Sequence, residues 1–124
     1  MIASGNFNVG NGIFFLKDSG PSLVAVPDGN GIFFANATCI SVLAKHEEDG
    51  RCRISLGPTN EVALDREPDF YRKIDVPTLR VIVMLVPWVE ALSMPVSASR
   101  IGVSIWLNHP RYADEIMIGI TDFP

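Results

Sequence analysis

The stretch IGVSIWLN, residues 101–108, and the shorter stretch IMIGIT, residues 116–121, decide the fold class of this chain. In the first, Ile101, Val103 and Ile105 alternate with smaller or more polar neighbours. In the second, isoleucine recurs at positions 116, 118 and 120. A period of two places every apolar side chain on one face of an extended strand, whereas a helix needs a period near 3.6. Both stretches are therefore predicted to be β-strands with one buried face.

Shorter β-prone segments fill the rest of the chain, separated by turn signals at intervals of roughly 8–12 residues. They lie at 13–15, 32–34, 38–42, 52–56, 61–64, 71–76 and 80–86. The last of these is almost continuously apolar, which predicts a strand covered on both faces. We expect one all-β domain spanning residues 1–124, an antiparallel β-sandwich or small barrel of about 9–11 short strands.

Two local connections are also predicted. Glu48, Asp49 and Gly50 stand between the segment that begins at Asn36 and the alternating segment 51–56, which predicts a hairpin. Pro87 suits the first turn of a helix because its missing N–H is not needed there. One short helix is therefore predicted near residues 88–93, ended by Pro95.

Composition excludes several classes of protein. Apolar residues make up 48% of the chain and charged residues 19%, which excludes a disordered chain. Lys and Arg number 10 against 14 for Asp and Glu, and this net charge of −4 disfavours binding to nucleic-acid phosphates. The apolar run 81–87 is far shorter than the roughly 20 residues that cross a bilayer, and residues 1–20 lack a secretion signal. We expect a cytoplasmic protein with neither a nucleic-acid nor a membrane partner.

A six-residue repeat, GNGIFF, occurs at 10–15 and again at 29–34. Gly-Asn-Gly supplies positive φ at low steric cost, and Ile-Phe-Phe is β-prone. Each copy is predicted to turn and then enter a strand. The alternative, a phosphate-binding loop, lacks the Lys-Ser/Thr and the following helix that such a loop uses.

Cys39 and Cys52 are predicted to be free thiols. A hairpin centred on Asp49 and Gly50 places the two cysteines several residues out of register, which exceeds the Cα separation of a disulfide. Cys52 is expected to be buried as a small apolar side chain.

The most chemically varied segment is the loop NHPRYAD, residues 108–114. Its candidate ligand-binding residues are His109, Arg111, Tyr112 and Asp114, which could bind a small anion or a peptide carboxylate. Equally, this loop could serve only to connect two strands. Neither the acidic turn at His46, nor the partial calcium motif at Asp28, nor the carboxylates between 65 and 69 carries a full catalytic or metal-binding pattern. We therefore expect no catalytic residue, no metal and no cofactor.

A strand that is apolar on both faces, followed closely by Trp88, leaves side chains that one small core cannot cover. Trp and Met are enriched at protein interfaces. The candidate interface therefore comprises Val81, Val83, Met84, Val86, Trp88 and Met94, and the expected partner is a second copy of the chain, as a homodimer, or another protein. The alternative for Trp88 is a position in a lid over the core.

The layout of the last two strands, RIGVSIW at 100–106 and EIMIGI at 115–120, is similar to that of small bacterial nuclease-inhibitor and immunity proteins. The resemblance covers this part of the chain only and carries over no functional residue. It adds an inhibitor or immunity role to the leading hypothesis of a non-enzymatic protein-interaction module. The alternatives are a small ligand-binding barrel or hydrolase that uses carboxylates and residues 108–114, and a structural domain of a phage or virion.

Overall fold

The structure, a computed structural model, describes residues 1–122 and consists of two β-sheets packed face to face. Its strands are β1 (Ala3–Phe7), β2 (Ile13–Asp18), β3 (Phe33–Ala35), β4 (Cys39–Leu43), β5 (Cys52–Pro58), β6 (Phe70–Asp75), β7 (Arg80–Leu85), β8 (Val89–Pro95), β9 (Arg100–Leu107) and β10 (Glu115–Asp122). One helical turn, α1 (Thr59–Val62), follows β5. The predicted all-β fold is confirmed, and it is a sandwich and not a barrel.

Each sheet has five strands. Sheet A has the order β1-β5-β10-β9-β6, and sheet B has the order β3-β4-β2-β7-β8. Neighbouring strands are antiparallel except β5 and β10, which run parallel. The alternating residues of the two sequence stretches that decide the fold lie on β9 and β10, and their isoleucines and valines are buried between the sheets. Hydrophobic burial on this scale is the main force that holds the sheets together.

The GNGIFF repeat has a structural counterpart in sheet B. Both copies enter strands that flank β4, so Phe14 and Phe33 both lie opposite Val42, and Phe15 and Phe34 both lie opposite Ser41. Within each copy the first phenylalanine faces the core and the second faces outward. The prediction of two turn-and-strand units is confirmed, and the two units occupy equivalent registers.

Two chain segments cover the outer faces of the sheets. On sheet A, residues 63–69 cross over Trp106, which is 3% exposed and donates its indole N–H to the carbonyl of Arg66 at 2.8 Å. On sheet B, residues 23–26 lie over β4, where the hydroxyl of Ser41 donates to the carbonyl of Ala25 at 2.6 Å. Each sheet is thus partly shielded from water on both faces, which explains the apolar outward positions of its strands.

The predicted helix near residues 88–93 is wrong. This segment forms β8, whose residues pair with β7 from Val89 opposite Leu85 to Pro95 opposite Arg80. A single helical turn satisfies few backbone groups, whereas the edge of sheet B offers a ladder of hydrogen bonds. The cis peptide bond between Val86 and Pro87 lies in the turn that precedes β8.

The predicted hairpin around Glu48, Asp49 and Gly50 is also wrong. The strand before it, β4, belongs to sheet B, and the strand after it, β5, belongs to sheet A. Residues 44–51 cross from one sheet to the other through a 3-10 turn, Glu47–Asp49. Consecutive strands are neighbours only about two thirds of the time, and this pair is an exception.

The predicted strand at 61–64 is replaced by α1 and the chain that leaves it. Gly57 and Gly119 leave space on the outer face of sheet A, where Val62 packs within 3.2 Å of the position that a Cβ would take at either glycine. The hydroxyls of Thr59 and Thr121 lie 2.8 Å apart and fix the start of the turn.

Cys39 and Cys52 are both unpaired, as predicted, although the hairpin used in that prediction does not exist. Cys52 is buried, as predicted, and so is Cys39. Cys39 lies on sheet B under the outer covering segment, and Cys52 lies in the core between the sheets. No helix among residues 1–122 has the length and apolarity needed to span a membrane.

Candidate binding surfaces

Residues 108–114, here named the His109 loop, connect β9 to β10 and are held by their own side chains. The side chain of Asn108 donates to Asp114 at 2.7 Å and accepts from the backbone amides of Asp114 and Glu115 at 3.1 Å each. The Nδ1 atom of His109 accepts from the amides of Arg111 and Tyr112 at 3.1 and 3.0 Å. His109 and Asp114 therefore shape the loop, while the side chains of Arg111 and Tyr112 are left to face solvent.

Three turns meet at the end of the sandwich where the His109 loop lies. The first is the Asn11 turn (Gly10–Gly12), the second is the Glu48 turn (Glu47–Asp49) and the third is the His109 loop. The amide of Ala44 donates to the carbonyl of Gly12 at 2.8 Å, and the amide of Lys45 donates to the carbonyl of Ala113 at 3.0 Å. These two bonds attach the Asn11 turn and the His109 loop to residues 44–45, which lead into the Glu48 turn, so the three turns form one surface.

Electrostatic contacts support the same junction. The Lys45 ammonium lies 3.5 Å from the Asp114 carboxylate. The hydrogen bond from Asn108, and after it the Lys45 charge, holds the pKa of Asp114 below its usual value. Next to this pair, the Nδ1 atom of His46 accepts from the amide of Glu48 at 3.1 Å and caps the Glu48 turn.

A cleft of about 250 Å³ opens between the three turns; we call it the turn cleft. Its lining combines apolar residues with polar and charged ones: Asn11, Gly12, Ile32, Leu43, Ala44, His46, Asp49, Arg111 and Tyr112. Sequence reasoning found Arg111 and Tyr112, but it did not connect them to Asn11 or Asp49. No sequence signal could have done so, because the three turns are brought together by the order of strands in the sheets.

A larger cleft of about 510 Å³ lies on the other side of the His109 loop, beside Leu64 and Pro110. Its polar groups already bond to one another. Arg66 donates to the carbonyl of Leu107 at 2.7 Å and to the carboxylate of Asp69 at 3.2 Å, and Asp69 also accepts from the amide of Leu107. This cleft therefore offers little uncommitted hydrogen-bonding capacity to a ligand.

A second surface lies on the outer face of sheet B, and we call it the outer layer. Phe15, Ala25 and Cys39 form its buried base, and half-buried side chains pack around them: Ile13, Val24, Phe34, Met84 and Val86. Trp88 stacks on Phe15 with a ring separation of 6.0 Å, yet it is 66% exposed. Leu23 and Val26, the first and last residues of the covering segment 23–26, are 86% and 76% exposed.

The predicted interface residues separate into three locations. Met84, Val86 and Trp88 belong to the outer layer. Val81 and Val83 point the other way, into the core, where both are 0% exposed and cannot contact a partner. Met94 also packs against the core and lines clefts near β1 and α1, away from Trp88. Alternation along β7 and β8 explains this division, since successive side chains point to opposite faces.

Comparison with known proteins identifies the fold but no family. No family model and no curated protein matches the chain. Among solved structures, the chain is similar to ComJ from Bacillus subtilis, described as an inhibitor of the DNA-degrading activity of NucA, with a TM-score of 0.70 and 12% sequence identity over 99% of both chains. The chain shares the fold of ComJ.

The other titratable groups that could carry chemistry are the possible metal ligands and the two cysteines. Among residues 1–122, no group of three His, Cys, Asp or Glu side chains is placed to hold a metal ion. Burial, with the nearby Asp114 charge, raises the pKa of the Cys52 thiol to about 12, and burial also raises the pKa of Cys39. Thiolates are the nucleophilic form of cysteine, so neither residue is suited to covalent chemistry.

Proposed function

We propose that this protein is a non-enzymatic protein-binding module of the inhibitor or immunity type, and that it assembles through the outer layer of sheet B. The observation that carries the proposal is the position of Trp88. Its ring stacks on Phe15 but remains 66% exposed, beside the half-buried Met84 and Val86. Contiguous apolar surface of this kind marks interaction sites in soluble proteins.

The backbone holds Trp88 in this exposed position. Trp88 has a φ of 79°, and its amide donates to the carbonyl of Leu85 at 2.7 Å. A residue other than glycine adopts positive φ at a cost, so the surrounding structure must hold the turn. A rigid aromatic side chain loses little conformational entropy on binding, which is why tryptophan so often dominates binding energy.

The partner that we propose for this surface is a second copy of the chain. In a two-fold dimer both copies use the same surface, so a surface with a net charge of one sign meets the same charge on its partner and is repelled. The exposed members of the outer layer, Leu23, Val26 and Trp88, carry no charge. At its border, Arg80 and Glu90 form a salt bridge that already neutralises both groups. We therefore propose a homodimer formed by the two outer layers.

The fold similarity to ComJ supports an inhibitor role for the dimer. ComJ is an inhibitor of a nuclease, and the present chain has its fold over the whole length. The net charge of −4 disfavours direct competition for DNA, because DNA-binding surfaces need an excess of Lys and Arg. The proposed target is therefore the nuclease protein and not its substrate.

We also propose that the protein works in a reducing compartment such as the cytoplasm. Two buried thiols, on different sheets and unpaired, are more common where glutathione and thioredoxin keep cysteine reduced.

An assay of DNA degradation tests the inhibitor role. NucA, the nuclease that ComJ inhibits, is incubated with DNA and increasing amounts of this chain, and the rate of DNA loss is followed. We expect the rate to fall as the chain reaches molar excess, and we expect no shift of the same DNA on a gel with the chain alone. An unchanged rate at saturating chain contradicts inhibition of a NucA-type nuclease, and a DNA shift contradicts the choice of target.

A further inference from the structure

We propose that the turn cleft receives an arginine side chain of the partner protein. This inference rests on the proposed protein-binding function and names the chemistry that a second surface, separate from the outer layer but adjoining it at the Asn11 turn, would recognise. The Asn11 turn, the Glu48 turn and the His109 loop form the cleft.

The size of the cleft favours a single side chain as its occupant. Its volume of about 250 Å³ is below the roughly 300–1,000 Å³ typical of sites for small molecules and cofactors. Protein interfaces commonly place one large anchor residue in such a pocket, and Trp, Tyr and Arg are the usual anchors.

The lining fits the length of an arginine. Ile32 and Leu43 supply an apolar wall for the methylene stem, which prefers apolar contacts. Asp49 offers a carboxylate for a bidentate bond with the guanidinium, and Tyr112 offers a ring face on which the guanidinium can stack. Neither the Asp49 carboxylate nor the Tyr112 hydroxyl has a side-chain partner among residues 1–122.

The surrounding charges favour a cation. Glu47 and Glu48 precede Asp49 on the Glu48 turn, and all three are exposed. Lys45 is balanced by Asp114, so Arg111 is the one cationic side chain that lines the cleft within the described part of the chain. The lining holds one carboxylate, of Asp49, and one guanidinium, of Arg111. The carboxylates of Glu47 and Glu48 on the same turn add the negative charge that attracts a basic side chain.

This preference agrees with the proposed target. Enzymes that act on DNA contact its phosphates through Lys and Arg. If one such arginine enters the cleft of the inhibitor and pairs with the carboxylate of Asp49, the nuclease loses a contact to DNA phosphate.

The walls of the cleft are formed in advance. Asn11 and Gly12 have φ values of 57° and 67°, and the His46 ring packs 3.7 Å from the position that a Cβ would take at Gly12. Together with the hydrogen bonds inside the His109 loop, these contacts leave little ordering to be done when a side chain enters.

An NMR titration with a small probe tests the inference without any partner. N-acetyl-L-arginine methylamide is added to the ¹⁵N-labelled chain, and amide shifts are followed. We expect saturable shifts confined to the three turns, with a dissociation constant on the order of millimolar. The citrulline analogue, which is neutral and nearly the same shape, should bind at least about tenfold more weakly.

Two matched variants locate the interaction. Asp49→Asn should weaken arginine binding by at least about tenfold, because it removes the carboxylate. Asp75→Asn makes the same change of charge on exposed β6 surface at the opposite end of the sandwich and should leave binding unchanged. The amide spectrum of each variant also reports whether it is folded.

Several results overturn the inference. These are equal binding of the citrulline analogue, an equal loss in both variants, shifts outside the three turns, or no saturable shift at tens of millimolar probe. Tighter binding of N-acetyl-L-glutamate methylamide would instead assign the cleft to an anion held by Arg111. Because this probe needs neither dimer nor nuclease, failure here leaves the outer-layer proposal standing. Equally, a failed nuclease assay leaves the titration result intact.

Discussion

Replacing Asp18 by alanine should destabilise the fold by about 2–4 kcal/mol. The Asp18 side chain ties the end of β2 to the turn before β7, and the residue is only 2% exposed. Its carboxylate accepts from the amide and hydroxyl of Thr78 at 3.0 and 2.6 Å, and from the amide of Gly20 at 3.0 Å.

The magnitude follows from the partners that are left behind. Hydrogen bonds to a charged group contribute about 1.5–3 kcal/mol each, and a buried donor without a partner costs about 1–3 kcal/mol. The Thr78 hydroxyl retains Ser19 and the carbonyl of Arg80 as partners, so the two amides account for most of the loss. The variant no longer has to bury the charge of Asp18, and this offsets part of the loss of stability.

The effect should depend on pH. Burial acts to raise the pKa of Asp18, but the bonds from Thr78 and Gly20, together with the Lys17 charge, lower it below the usual value. A carboxyl whose pKa is lower in the folded state stabilises the fold above its unfolded pKa of about 3.9, and this contribution is lost as the pH falls through the folded pKa. The difference in free energy of unfolding between wild type and Asp18→Ala should therefore be constant from pH 7 to 5 and should become smaller below pH 4.

Urea denaturation followed by tryptophan fluorescence measures both effects. Asp122→Ala is the matched control, since Asp122 also accepts three hydrogen bonds, from Ser97 and Ala98, but is only half-buried. It should cost about 1 kcal/mol. The reasoning would be refuted by equal losses of unfolding free energy in Asp18→Ala and Asp122→Ala. It would also be refuted if the difference between wild type and Asp18→Ala stayed constant down to pH 3.

Three further predictions concern other parts of the molecule. Trp106→Phe should lower the free energy of unfolding by about 1–2 kcal/mol, because the carbonyl of Arg66 loses its donor and a void forms under residues 63–69; an unchanged urea midpoint would contradict that role. Cys39 and Cys52 should both react with a thiol reagent in denaturant without reductant, and hardly at all in the native protein at pH 7, whereas a count of zero would reveal a disulfide. Trp88→Ala should cost the isolated fold no more than about 2 kcal/mol, since two thirds of the ring lies in water, and a larger loss in a monomeric variant would place Trp88 in the core.

Strand periodicity made much of the fold predictable. Alternation at Cys52, Ile54 and Leu56 gave β5, and the isoleucines at 116, 118 and 120 gave β10, because a buried face must repeat every second residue. The repeated GNGIFF segment also predicted two equivalent strands. Their shared register against β4 could not be predicted, since pairing joins residues that are distant in sequence.

Local patterns failed where distant parts of the chain decide the outcome. Residues 88–93 carry a weak helical signal, but a free sheet edge outweighs one helical turn. The acidic turn at 48–50 resembles a hairpin, yet β4 and β5 have better partners in separate sheets. The periodicity of the sequence shows neither that a sheet edge is free nor which strands pair with each other.

Some residues of the candidate surfaces could be predicted from the sequence, but their grouping in space could not. Trp88 and Met84 were proposed as interface residues because apolar residues beyond the needs of one core stand out by composition, and the structure places both on the outer layer. The roles of Val81 and Val83 were mistaken because an apolar strand does not show which face is covered. Arg111 and Tyr112 were proposed as ligand-binding residues by their chemistry, and both line the turn cleft, whereas Asp49 became part of the same cleft only through the strand order of both sheets.

The mass of the protein in solution tests the central claim most directly. Size-exclusion chromatography with light scattering at micromolar concentration should give twice the chain mass of 13.6 kDa. Met84→Asp and Trp88→Ala should each weaken the dimer by more than about 1 kcal/mol, whereas Tyr71→Ala, which removes a 49% exposed aromatic side chain from sheet A, should not. A wild-type mass of 13.6 kDa across the micromolar range would contradict assembly through the outer layer.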